Sequence, residues 1–131
     1  MVTKREIDGV EVQPFQQNLA IGANVRLTDA VPFDGWLKEV TIHWPGGCNA
    51  LVDVAVLYGN VQFLPKHGFL ALDNVTKPYW FGYQKWVQQN QTILVHMRNR
   101  DALWPHSVTV TVTFEMPGSE TYDRSRTDRG E

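Results

Sequence analysis

Apolar and polar residues alternate with a period of two along most of the chain. Clusters of Gly, Pro, Asn and Asp break the alternation about every ten residues, which is how short antiparallel strands joined by tight turns read in a sequence. The longest example is 106–116, with Val108, Val110, Val112, Phe114 and Met116 on one face and Thr109, Thr111, Thr113 and Glu115 on the other. A second strand is predicted over 36–44, setting Val40, Ile42 and Trp44 against Glu39, Thr41 and His43, and ending at Pro45-Gly46-Gly47. A third, 51–58, alternates Val52, Val54, Val56 and Tyr58 with Leu51, Asp53, Ala55 and Leu57, and 61–64 returns beside it. Further strands are predicted at 69–72, 79–87 and 93–98, and two more near 10–12 and 19–27. Helical periodicity is not sustained anywhere. Eight or nine short strands with short connections predict an all-β fold, an antiparallel β-sandwich of jelly-roll-like form.

The 131 residues suit one domain large enough to bury its own core. That domain is expected over 1–117. The segment 118–131 carries Tyr122, Arg124, Arg126 and Arg129 among acidic and small polar residues, too polar to build a core, and reads as a charged C-terminal arm. A formal net charge of −2, with Lys and Arg dispersed, leaves no basic stripe for a phosphate backbone, so nucleic acid is not an expected partner. No apolar run approaches a membrane span and the N-terminus is charged where a signal peptide is apolar, so synthesis in the cytoplasm is expected, without signal-directed secretion. The triplets beginning at Asn74 and Asn90 then read as turns rather than glycosylation sites.

Candidate chemistry is sparse. Cys48 is the only cysteine, follows Gly46-Gly47 and lacks a nucleophile motif, so it reads as a structural thiol. His43, His67, His96 and His106 form no short-spaced ligand pattern, and Asp34, Asp53, Asp73 and Asp101 read mainly as turn carboxylates. No catalytic, cofactor or metal site is expected. What stands out is apolar surface. Trp80 and Trp86, beside Tyr79, Phe81 and Tyr83, put aromatic side chains on both faces of one predicted strand, as does the apolar set Leu51, Ala55 and Leu57 on another. Either the protein's own loops cover such faces or a partner does, and aromatic residues with arginine are the usual anchors of interfaces. Trp80, Trp86, Tyr122, Arg124, Arg126 and Arg129 are therefore the expected partner-contact residues.

The run Val31-Pro32-Phe33-Asp34-Gly35-Trp36-Leu37, the strand through His43-Trp44-Pro45 and the segment Gly47-Cys48-Asn49-Ala50-Leu51-Val52-Asp53-Val54 resemble small β-sandwich structural proteins of tailed phages and archaeal viruses. Gly68-Phe69-Leu70-Ala71-Leu72-Asp73 and the closing stretch from Arg98 to Val110 are similar too, so the resemblance spans about 31–114. It implies a non-enzymatic virion protein of the capsid decoration or cement type, or a head or tail accessory. Its partners would be the major capsid protein or other virion subunits, and it would itself be a homo-oligomer, with a trimer the natural guess. A carbohydrate-binding sandwich is the alternative, with Trp80, Trp86 or Trp104 stacking on a glycan.

Overall fold

The computed structural model describes residues 5–7, for which only the backbone is considered, and 9–118. They form ten strands in chain order: β1 Arg5–Ile7, β2 Val10–Leu19, β3 Asn24–Ala30, β4 Gly35–Trp44, β5 Val52–Tyr58, β6 Val61–Leu64, β7 Val75–Trp80, β8 Trp86–Val87, β9 Thr92–Asn99 and β10 His106–Glu115. Eight have four residues or more; β1 and β8 are short additions. One sheet runs β1-β2-β10-β4-β7, with β8 also on β4, and the other runs β3-β9-β5-β6. All pairings are antiparallel. Apart from β1 and β8, the order β2-β10-β4-β7 against β3-β9-β5-β6 is the winding of an eight-stranded jelly roll.

The inward faces meet as the alternation requires. Val108, Val110, Val112 and Phe114 of β10 are fully buried against Val40, Ile42 and Trp44 of β4, with Val52, Val54, Val56, Ile93, Val95 and Met97 opposite. The Trp44 indole Nε1 donates to the Val52 carbonyl (3.0 Å), so the largest core side chain leaves no polar atom unpaired. Gln13 is the exception. It is fully buried on β2, its Nε2 donates to the Ala30 carbonyl (2.8 Å), and its Oε1 has no partner among the described residues.

Several expected boundaries move. Residues 79–87 are not one strand: β7 ends at Trp80, 81–85 turn, and β8 returns, because a bulge in β4 lets both β7 and β8 pair with it. Residues 75–78 are strand despite Pro78, which the edge position of β7 tolerates. The expected strand at 19–27 splits, with Leu19 closing β2 and a turn separating it from β3. Residues 69–72 contribute a single bridge, Leu70 to Val54. Met116 falls outside β10 and is exposed, while Glu115 is buried. Asn74 and Asn90 adopt positive φ (52° and 69°), the turn conformation expected of them. The apolar outer face of β5 is partly covered from within. Ala55 is fully buried, and Phe69 packs its ring on neighbouring His96 (5.1 Å) and beneath Arg98 (4.1 Å).

Candidate functional site: an aromatic patch around a buried ion pair

The site grows out of the β4 bulge. Thr113 pairs with Glu39 and Phe114 with Leu37, so Lys38 is an extra residue and its side chain shares the outer face with those of Trp36 and Glu39. The Lys38 carbonyl accepts hydrogen bonds from the Phe81 and Gly82 amides (2.7 and 3.3 Å), which bends the chain after β7 back towards β4. Gly82 makes this turn at φ 60°, where an L side chain is strained. β8 then sets Trp86 opposite Trp36.

These elements gather four aromatic rings at one end of the β4 sheet. Trp36 meets Trp86 edge to face (centroids 4.9 Å, 81°) and Tyr83 likewise (5.8 Å, 82°). Beneath them the Lys38 ammonium lies 3.3 Å from the Tyr83 ring centroid, 5.0 Å from that of Trp80 and 3.2 Å from Glu115 Oε1. The Tyr83 hydroxyl donates to Glu115 Oε2 (2.9 Å). The two charged side chains are only 8% and 11% exposed, whereas Trp80, Tyr83 and Trp86 are 68%, 45% and 44% exposed. The surface is therefore aromatic, and the charge that shapes it is paired and covered. Such a surface has the composition of an interface core, rich in aromatic residues, with Glu39 a half-exposed charge at its border beside Trp80.

Of the expected contact residues, Trp80 and Trp86 meet in this patch. Tyr122, Arg124, Arg126 and Arg129 lie outside the described residues. Trp36, Tyr83, Lys38 and Glu115 belong to the patch without having been singled out. The sequence does carry a signal for Lys38: Leu37 and Val40 face inward three positions apart, a break in period two that marks a bulge. Trp104 does not join Trp80 and Trp86. It is exposed in the loop before β10, at the opposite end of a ten-residue strand, roughly 30 Å away.

The remaining polar groups have structural partners. Asp101 accepts from the Leu103 and Trp104 amides (2.8 and 3.3 Å) and its Oδ2 lies 2.8 Å from His106 Nε2, bonds that hold its carboxyl below the usual carboxylate range. A shallow open cavity of about 340 Å³ beside this pair is lined by Asn18, Pro105, His106 and Ser107. Asp73 accepts from the Gly47 and Asn49 amides, and Asp34 from that of Gln89. Asp53 is no turn residue: it is buried on β5, bound by Arg98 (2.8 Å) and Arg100 (2.7 Å). Cys48 is buried and its thiol pKa is raised by desolvation and by Asp73, so the nucleophilic thiolate is disfavoured. No cluster of three His, Cys, Asp or Glu suited to a metal occurs among the described residues.

No family model matches the chain, and no curated protein matches its sequence. Among solved structures, the crystal structure of FLHE is similar at 13% identity and a TM-score of 0.41, covering 82% of this chain and 98% of that one. The Yersinia pseudotuberculosis-derived mitogen (YPM) is similar at 11% identity and a TM-score of 0.43, covering 78% of this chain and 84% of that one.

Proposed function

We propose that this chain is a non-enzymatic virion structural protein, a capsid decoration or cement protein or a head or tail accessory. On this reading it seats the Trp36–Trp80–Tyr83–Trp86 patch on the major capsid protein or another virion subunit. The observation that carries the binding role is the exposure of Trp80 and Trp86, on two strands paired with β4, and of Tyr83 in the turn between them, above a neutralised ion pair. Rigid aromatic rings lose little entropy on docking and supply most interfacial hot spots. The virion assignment rests on the resemblance of 31–114. β10 ends at Glu115, within the patch, and Tyr122, Arg124, Arg126 and Arg129, which lie outside the described residues, are part of the proposal as further contact residues for the same partner.

Cosedimentation with shells assembled from the major capsid protein of the same genome tests the proposal. Trp80→Ala and Trp86→Ala are each expected to weaken attachment about 30-fold, the size of a 2 kcal/mol hot spot, with unchanged melting temperature. Attachment as tight as wild type would overturn it. Glycan binding is the second reading, favoured by the exposure of Trp80. Against it, Trp36 stands nearly perpendicular to Tyr83 and Trp86, so these three make no flat stacking platform. A glycan array probed with wild type and Trp80→Ala separates the two: sugar binding lost in the variant selects the second.

A further inference from the structure

The exposed strand edges of the two sheets differ in how they are protected. β2 carries Pro14, which offers no N–H, and β1 covers its first residues; β7 carries Pro78. β6 has four residues, pairs through a register shift, and is followed by a loop that Gln62 ties down through the Pro65 and Gly68 carbonyls (2.7 and 2.8 Å). Prolines, short strands and bulges are the usual guards against strand addition.

β3 has none of these. It pairs with β9 residue for residue from Asn24↔Arg98 to Ala30↔Thr92 without a shift. Its odd-numbered positions bond to β9, as the flanking pairs show: the Asn99 amide donates to the Ala23 carbonyl and the Val31 amide to that of Gln91. The backbone groups of even-numbered residues therefore point away from β9. At Ala30 the protein satisfies both groups itself, the amide with Asp29 Oδ1 and the carbonyl with Gln13 Nε2 (2.8 Å each). For Asn24, Arg26 and Thr28, no such partner occurs among the described residues, which leaves an open edge of five residues, roughly 17 Å.

On the face that holds Arg26, the side chains beside this edge are net positive. Arg26 lies next to His96, and Arg98 and Arg100 converge on Asp53, which gives three arginines against one aspartate on a chain of formal net charge −2. The field is felt locally: burial first, then Arg26 and Arg98, lowers the His96 pKa. Pairing β3 with β3 of a second copy in the register centred on Arg26 would set like charges directly opposite, which is unfavourable.

We infer that β3 is a strand-addition site for an extended segment of a partner protein that carries acidic side chains on the face beside Arg26. Main-chain bonds to Asn24, Arg26 and Thr28 supply affinity, and Arg26 selects charge. The inference does not depend on the virion reading, because it concerns the other sheet and its test uses neither capsid protein nor the aromatic patch.

The full chain is mixed with a ten-residue peptide of alternating Thr and Glu, and separately with its Thr-Lys counterpart, and amide exchange is followed by NMR. The acidic peptide is expected to slow exchange at Arg26 and Thr28 by about tenfold, leaving Val25 and Leu27, already bonded to β9, unchanged. Thr28→Pro, which removes an amide the fold does not use, is expected to abolish the effect without lowering the melting temperature. Arg26→Glu is expected to transfer it to the lysine peptide. Equal protection by both peptides, or none at Arg26 and Thr28, overturns the inference. Protection of these amides by raised protein concentration alone identifies a second copy as the occupant and overturns it too.

Discussion

Lys38 and Glu115 face each other under a cover of aromatic rings, where neither could lose its partner without leaving a charge stranded in a poorly hydrated site. Glu115→Ala is expected to destabilise the protein by about 3 kcal/mol in urea unfolding, because it also frees the Tyr83 hydroxyl. Replacing both charges, Lys38→Met with Glu115→Leu, is expected to cost less than the single change. Among the described residues, His96 and Asp101 contribute to acid stability. His96 titrates in the fold below its ordinary 6.5, so its contribution is full above pH 6.5 and is lost as pH falls through the lower folded value. Asp101 behaves alike below its ordinary 3.8, held down first by the bond from His106. Unfolding free energies measured from pH 7 to 5 should fall less in His96→Gln than in wild type, and Asp101→Asn should flatten the decline at lower pH.

At the scale of elements, β4 organises the molecule by accepting β10 along one edge and two separate strands along the other. Gly35 makes the start of β4 possible: a Cβ there would overlap the Glu115 carbonyl oxygen and press on the Phe33 ring. Gly35→Ala is expected to cost about 2–3 kcal/mol in the same unfolding assay, an overpacking effect at a backbone contact that has little room to yield. β10 and most of β4 were legible in the sequence because each buries one face and wets the other, and β5 and β6 because a run of β-branched and aromatic residues is cut by the Gly59-Asn60 turn between them, although β5 buries both faces over most of its length. The turn at 81–85 was not, since Phe81 and Tyr83 are strand-forming residues and the bonds that bend it come from a carbonyl 43 residues earlier in the chain, that of Lys38. β7 was hidden by Pro78, which argues against a central strand but not against an edge. Of the patch, the tryptophans could be named from the sequence, whereas their relation to Lys38 and Glu115 depends on a bulge and on pairing between distant strands.

Across the whole molecule, exposed apolar residues collect at both ends of the sandwich. The aromatic patch occupies one. At the other, Asn99 Nδ2 bonds the Leu19, Ala20 and Trp104 carbonyls (3.3, 3.2 and 3.1 Å), which fixes two loops that expose Ile21, Leu103 and Trp104. Light scattering over a concentration series, for the full chain and for one ending at Pro117, measures whether copies associate. A trimer or larger species altered by the deletion is the outcome expected of the proposed virion protein. A monomer in both forms would place attachment entirely on the partner's lattice.

The wound strand order also governs how this protein can be made. β10, the last of the described strands in chain order, is the middle strand of its sheet, paired with β2 along its whole length and with β4 from Thr109 to Glu115. Until it emerges, β2 and β4 have no common neighbour, and the apolar faces they will bury stay exposed in the nascent chain. Folding must then bring residue 10 to residue 115, a closure across 105 residues, and pairing of such long range is slow to form. A stall in translation before His106 would release a chain with every other described strand but the one that joins β2 to β4.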